Sequence, residues 1–254
     1  MQSLLEVHQL KKTYQGIVAV NDISFEVPHN SIVGLIGPNG SGKSTAIDCI
    51  TGFQQPDQGR IVLEGQDIAR VSAWRIARSG MMRTFQSVRV YDELSLMDNL
   101  KVAMYGFDEC NWADDFFRTN KMRKVAGNSS DRANELMHLV GLQSYEDLPA
   151  GILSYGQKKL VALASCLMSR PKLVILDEPV AGVNPTRIRE IEQAILSLKK
   201  AGETFLIVEH NMDFISNLCD HVIVLDQGKV LSQGKPDSVR KDPKVLEAYL
   251  GIRA

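Results

Sequence analysis

"GPNGSGKST", Gly37 to Thr45, decides how the rest of this 254-residue chain is read. Immediately before it, "SIVGLIG" (Ser31 to Gly37) is an almost unbroken apolar run, the pattern of a strand covered on both faces. Immediately after it the pattern becomes helical. Strand, glycine-rich turn and helix in this order, with Lys-Ser at the helix start, make a complete P-loop in its required context. Gly37, Gly40 and Gly42 let backbone N–H groups converge on phosphate oxygens without a Cβ in the way, and the helix start adds its positive dipole end. Pro38, Asn39, Ser41 and Thr45 complete the loop. Lys43 is expected to bridge β- and γ-phosphates, and Ser44 to ligate Mg2+.

Downstream, "LVILDEP" supplies the other half of such a site. An apolar strand would carry Asp177 to the carboxyl edge of a sheet, where ligands gather in open α/β folds and where it can hold the magnesium shell. Glu178, next to it but directed elsewhere, can take the proton of an attacking water.

Around these two motifs the chain alternates. From Leu4 to Val27, "LLEVHQL", "IVAV" and "ISFEV" read as antiparallel strands, punctuated by Gly16 and by Asn21-Asp22. "RIVLEG" and a turn follow, and near Ile68 the pattern becomes helical. No buried-strand run occurs from about Val88 to Ala150; helices are expected around Leu94 to Met104 and Asp131 to Val140, with a mobile insertion between them that ends in a Gly-Asn-Ser-Ser break. Strand and helix then alternate again: a helix after Ser154, "LVILDE", a helix over Pro185 to Lys200, "TFLIVEH", a short helix, "HVIVLDQG", short β segments and a last helix. The fold expected is therefore α/β: a P-loop NTPase core on a mainly parallel sheet, with an N-terminal antiparallel β region and a helical subdomain. The whole of 1–254 is expected as one domain, 1–87 and 151–254 forming the nucleotide-binding core and about 88–150 the helical part.

Composition excludes several partners. Twenty-nine Lys and Arg against 30 Asp and Glu give a net charge of −1, so no overall basic field invites nucleic acid. Cys49, Cys110, Cys166 and Cys219 are far apart and lack metal-ligand spacing, which points to reduced thiols and no disulfide. The start "MQSLLEVHQLKK" lacks the features of an export signal, and no apolar run approaches the roughly 20 residues needed to span a bilayer.

"GILSYGQKKL", Gly151 to Leu160, has a plain local explanation: Ser154 followed three residues later by Gln157 is a capping box. Tyr14, Gln86 in "RTFQ" and His210 in "LIVEH" carry little weight one at a time. Their order carries more. Tyr14, the P-loop, Gln86, "LSYGQ", "LVILDEP" and His210 follow one another over essentially the whole chain as in the ATPases of the ATP-binding cassette (ABC) family, which this sequence resembles. "RTFQ", "AGVNP", "VEHNMD" and "DPKVLEAYLG" look in particular like the ATPase subunits of branched-chain and other hydrophobic amino acid importers.

The resemblance implies ATP and Mg2+ as ligands, Tyr14 stacking on adenine, Gln86 sensing the metal and contacting a membrane partner, and His210 positioning the γ-phosphate. It implies that Ser154, Gly156 and Gln157 face the ATP of a second cassette. Two departures stand out: Tyr155 replaces a family glycine, and Asn184 an aspartate. The expected function is ATP hydrolysis on the cytoplasmic face of a membrane, driving a permease that imports branched-chain or other neutral amino acids. Partners would be the permease, a second ATPase subunit (a related chain or a second copy) and, indirectly, an external solute-binding protein. Rival expectations are an importer of urea or short amides, an exporter or lipid extractor, and a non-transport cassette ATPase.

Overall fold

The computed structural model describes residues 3–85, 88–105 and 120–250. It opens with a long hairpin, β1 (Ser3–Tyr14) and β2 (Ile17–Pro28), whose two connecting residues, Gln15 and Gly16, have φ of 48° and 87°. Positive φ at both turn positions matches the right-handed twist of the flanking strands. Asn21-Asp22, expected as a turn, instead lies inside β2. Leu10 pairs with Ile23 and Lys12 with Val20, so β2 carries an extra residue there, and Asp22 takes φ 60°. Short polar side chains tolerate this conformation, and the result is a bulge rather than a reversal. β4 (Gln58–Leu63) and β5 (Gln66–Asp67) complete a four-stranded sheet in the order β2-β1-β4-β5.

The second sheet has β3 (Ile32–Ile36), β6 (Met81–Arg83), β7 (Leu173–Asp177), β8 (Phe205–Val208), β9 (His221–Asp226) and β10 (Lys229–Gly234), ordered β10-β9-β3-β8-β7-β6. All its pairs are parallel except β9 with β10. Every residue of β3 is buried, as its unbroken apolar run requires. Because the strands are parallel, the carboxyl ends of β3, β7 and β8 lie on one edge: Leu35 pairs with Val208, and Val208 with Asp177. Gly37, Glu178 and Glu209-His210 follow at that edge.

Helices in chain order are α1 (Lys43–Ile50), α2 (Ala73–Arg78), α3 (Leu96–Tyr105), α4 (Asn120–Leu139), α5 (Tyr155–Leu167), α6 (Pro185–Lys200), α7 (Met212–Leu218), α8 (Pro236–Arg240) and α9 (Pro243–Leu250). The Gly-Asn-Ser-Ser stretch at 127–130 does not break the chain; α4 runs through it. Its later half is anchored: Ser129 and Ala133 are buried, and Arg132 donates to the terminal carbonyl of Leu167 at the end of α5. Most of the expected insertion, 106–119, lies outside the described residues.

Two compact units result, one of 1–83, 172–179 and 199–254, the other of 84–171 and 180–198. This division differs from the expected one, which placed all of 151–254 in the core. α5 packs with α3 and α4, so it joins the helical unit together with α6. In the first unit, Ile47, Ile50, Ile61, Ile175, Leu206 and Ile223 belong to one buried cluster. Each fully buried side chain of this size contributes about 2 kcal/mol of apolar burial.

Cys49, Cys166 and Cys219 are reduced, and burial pushes their thiols up to about 11, 12 and 12. At pH 8 the thiolate fraction of each is then about 10⁻³ or less. These cysteines are expected to resist a disulfide reagent such as DTNB in the native protein and to label promptly in guanidinium chloride. Rapid native labelling at Cys49 or Cys219, located by peptide mapping, would contradict their burial, whereas Cys166 is half-buried and is held back by its raised thiol pKa.

Candidate functional site

The P-loop grows out of steric necessity. Gly42 is the N-cap of α1 with φ 100°, and a Cβ there would stand 2.4 Å from the Ala19 carbonyl oxygen. A Cβ on Gly37 would fall 2.1 Å from the Leu225 carbonyl oxygen. Only glycine fits either position. α1 therefore starts with no side-chain cap and no acidic residue in its first turn. Among the described residues, no backbone carbonyl accepts from the N–H groups of Gly42, Lys43 or Ser44. Such a bare helix end is an anion site when further groups converge on it.

Here they do. Lys43 is buried and folds its Nζ onto the carbonyls of Gly37 and Pro38, at 2.7 and 3.0 Å. Burial lowers its pKa, opposed by the carboxylates of Glu178, Asp177 and Glu209. Ser41 Oγ is buried and has no hydrogen-bond partner among the described residues. A helix start without a side-chain cap, a lysine donating to loop carbonyls and a hydroxyl without a partner among the described residues make a cradle that fits a phosphate chain.

The donor set for a metal is small. Ser44 is exposed in the first turn of α1, and Asp177 ends β7. Among the described residues no three His, Cys, Asp or Glu side chains cluster as a metal cage. Mg2+ suits such a place, because it keeps waters and is held through one or two protein groups plus phosphate oxygens.

Beyond Asp177 the chain turns sharply. Glu178 has φ 48°, an unusual conformation for a side chain of this kind, and its N–H donates to the Val208 carbonyl at 2.9 Å. The turn sends consecutive carboxylates in different directions. Glu178 Oε1 lies 3.9 Å from His210 Nδ1, close but beyond a hydrogen bond. Glu209 is wholly buried and accepts from the N–H groups of His210 (2.9 Å) and Asn211 (3.3 Å).

Two residues of this neighbourhood escape the sequence patterns. Glu209 announces itself only as a carboxylate inside the apolar run "LIVEH". Arg83 gives no signal at all, yet its guanidinium pairs with Asp177. Tyr14 stands at the end of β1, 40% exposed, with Lys12 Nζ 5.3 Å from its ring centre. Gln86 lies outside the described residues.

The first unit thus brings together Gly37 to Thr45, Asp177, Glu178 and His210, whereas Ser154, Gly156 and Gln157 belong to the second. There the capping box forms: Gln157 Oε1 accepts from the Ser154 N–H at 2.9 Å, and Ser154 Oγ faces the Gln157 N–H at 3.4 Å. Gln157 is buried in this role, while Ser154 and Tyr155 are exposed. The ring of Tyr155 lies over Gly182, where a Cβ would meet it at 3.4 Å.

Asn184, the second departure, caps α6. Its Oδ1 accepts from the Thr186 N–H (3.1 Å) and hydroxyl (2.9 Å), and Pro185 occupies the first helical position. Asn184→Ala is expected to cost about 1 kcal/mol of stability in urea unfolding. An unchanged midpoint would show that the cap carries no weight.

Comparison with known proteins follows the same lines. A model of the ABC transporter family matches residues 20–181, and one described as branched-chain amino acid ATP-binding cassette transporter matches 229–254. The chain is 37% identical over 249 residues to the high-affinity branched-chain amino acid transport ATP-binding protein BraF of Pseudomonas aeruginosa, covering 98% of both chains. It is 36% identical over 251 residues to LivG of Escherichia coli K12, similarly named, again with 98% of each covered. Among solved structures it is similar to the ADP conformation of an ATP-binding cassette of an ABC transporter, with TM-score 0.85, 32% identity, and 99% and 100% of the chains covered. A dimeric post-hydrolysis cassette bound to ADP and Pi shares the fold at TM-score 0.73 and 20% identity.

Proposed function

The chain belongs to the ABC transporter ATPase family, and from that premise we propose that it is the ATP-hydrolysing subunit of an importer of branched-chain or other neutral amino acids. The observation that carries the substrate class is likeness over 98% of both chains to proteins named for branched-chain amino acid transport, joined to the separate match at 229–254.

In this proposal Lys43 Nζ leaves the Gly37 and Pro38 carbonyls for the β- and γ-phosphate oxygens of ATP. The loop amides and α1 hold the same oxygens from the other side. Ser44, Asp177 and Gln86 would hold Mg2+, which would supply neutralisation of the charge developing on the phosphates. Glu178 receives the proton of the attacking water, and its strained turn keeps it apart from Asp177. His210, its backbone pinned by Glu209, positions the γ-phosphate. Tyr14 offers its exposed ring to adenine. Ser154, Gly156 and Gln157 contribute to the ATP of a second cassette, either a related chain or another copy. The helical part around 88–150, with Val88 to Asp98 as its contact stretch, passes the motion to a permease in the membrane.

The test is uptake and company. A C-terminally tagged chain, purified from gently solubilised membranes of its own cells, is expected to bring with it two multi-span proteins and a second cassette. Deleting the chain is expected to lower uptake of labelled leucine, isoleucine or valine, with rescue by the parent chain only. Normal uptake of these amino acids together with lost uptake of urea, or with a defect in export, would reassign the substrate. Recovery of ribosomes or DNA-repair proteins would remove the transport proposal.

A further inference from the structure

Arg83 is the last residue of β6, an edge strand of three residues paired in parallel with β7. It aligns with Ile175 and so shares a face of the sheet with Ile175 and Asp177, the face whose apolar residues cluster with Ala46, Ile47 and Ile50 of α1. From there its guanidinium forks. Nη2 donates to Asp177 Oδ2 at 2.7 Å, and Nη1 donates to Asp48 Oδ1 at 2.7 Å. A longer contact of 3.4 Å reaches Thr51 Oγ1, just past α1, and the ring of Phe53 lies 5.9 Å from the guanidinium carbon. The Arg83 and Asp177 side chains are only 10% and 12% exposed.

The fork joins two elements that the site needs in fixed relation. Asp48 follows Ser44 by four residues on α1, so the two share a helix face one turn apart. One arm of Arg83 therefore holds the turn of α1 directly beyond Ser44, and the other holds the carboxylate that ends β7. Ser44 and Asp177 come from chain segments more than a hundred residues apart, and both are proposed to meet the same cation. Guanidinium suits such a bridge, since its planar donors fix direction as well as distance, where an ammonium supplies a single point of charge.

We infer that Arg83 is a positioning residue for the metal: by bridging Asp48 and Asp177 it sets the spacing between Ser44 and Asp177 and the orientation of the Asp177 carboxylate. The inference rests on the proposal that those two residues hold Mg2+, and it adds a residue that takes no part in binding the cation itself. A buried arginine between two carboxylates has a plainer use, to hold β6 and α1 in place. That use would act on folding and on nucleotide binding with or without metal.

The two roles separate in one set of measurements. Binding of a fluorescent non-hydrolysable ATP analogue is titrated in EDTA and in Mg2+, and hydrolysis of ATP is titrated with Mg2+, for the parent, R83M, R83K, D48N and D177N. In R83M the Mg2+ concentration for half-maximal hydrolysis is expected to rise about tenfold or more, as for other groups that orient a metal ligand. The gain in analogue affinity from Mg2+ is expected to shrink correspondingly, with affinity in EDTA kept within about twofold. R83K restores part of the effect. D48N, which weakens only the α1 arm by removing its charge, gives a smaller shift in the same direction and serves if R83M does not fold. A parental Mg2+ dependence in R83M or in this substitute overturns the inference, as does an equal loss of affinity with and without metal. D177N reports on the underlying proposal: if it too leaves Mg2+ dependence untouched, the metal assignment fails first; if D177N shifts it and R83M does not, only the role of Arg83 falls.

Discussion

Glu178→Gln is expected to lower kcat for ATP hydrolysis about a thousandfold, roughly 4 kcal/mol of barrier, while ATP affinity stays within about twofold. The substitution keeps the shape of the side chain and the backbone turn at φ 48°, including the N–H bond to the Val208 carbonyl. It removes the capacity to accept a proton. Phosphoryl transfer gives a protein little covalent chemistry to do, so loss of one acceptor separates binding from turnover. With ATP retained, the variant is expected to accumulate dimers, seen by light scattering of the eluting peak with ATP and Mg2+ and absent with ADP. The neighbouring carboxylate Glu209 is poorly placed to substitute as base, because it is wholly buried and already accepts from two backbone N–H groups. Hydrolysis at the parental rate would remove Glu178 from the role of base; a thousandfold loss with weakened ATP binding would instead make it a binding residue.

What could be foreseen from the sequence divides along physical lines. The P-loop was legible because its glycines and Lys43-Ser44 lie in one contiguous stretch between an apolar strand and a helix start, although the carbonyls that exclude a Cβ at Gly37 and Gly42, at 2.1 and 2.4 Å, belong to the distant Leu225 and Ala19. The capping box at Ser154 and Gln157 was legible for the same reason, as both partners lie within one turn. Asn21-Asp22 misled, because the conformational tolerance that suits these residues to turns suits them equally to a bulge, and only strand pairing decides between the two. The 127–130 stretch misled in the opposite sense: its residues favour a break, and tertiary contacts such as Arg132 with the Leu167 carbonyl carry the helix on. β6 is too short, at three residues, to show a period. Arg83 could not be foreseen at all, since its partners lie 35 residues before and 94 after it. The unit boundary also follows packing rather than sequence distance, with α5 and α6 grouped with helices that precede them.

Lys43→Met is expected to raise the Kd for ATP about a hundredfold or more, close to 3 kcal/mol, by removing the ammonium set among the loop amides. The change in stability without nucleotide is expected to be far smaller, because two effects oppose. Losing Nζ deprives the Gly37 and Pro38 carbonyls of their donors, at 2.7 and 3.0 Å, and it also removes the cost of burying a charge. The pH dependence distinguishes the contributions. Burial lowers the Lys43 pKa below its ordinary value of 10.5, so between the folded and unfolded values the unfolded chain binds more protons. Stability without nucleotide therefore gains from Lys43 as pH rises through that window. ATP affinity moves the other way, since the neutral amine attracts phosphate less. Fluorescence titration of ATP and thermal unfolding, each carried from neutral pH toward pH 10, are expected to show these opposite slopes in the parent, with both contributions absent in the methionine variant. If ATP affinity survives the substitution, the ammonium does not leave the loop carbonyls for the phosphates, and the loop amides with α1 must hold the nucleotide alone.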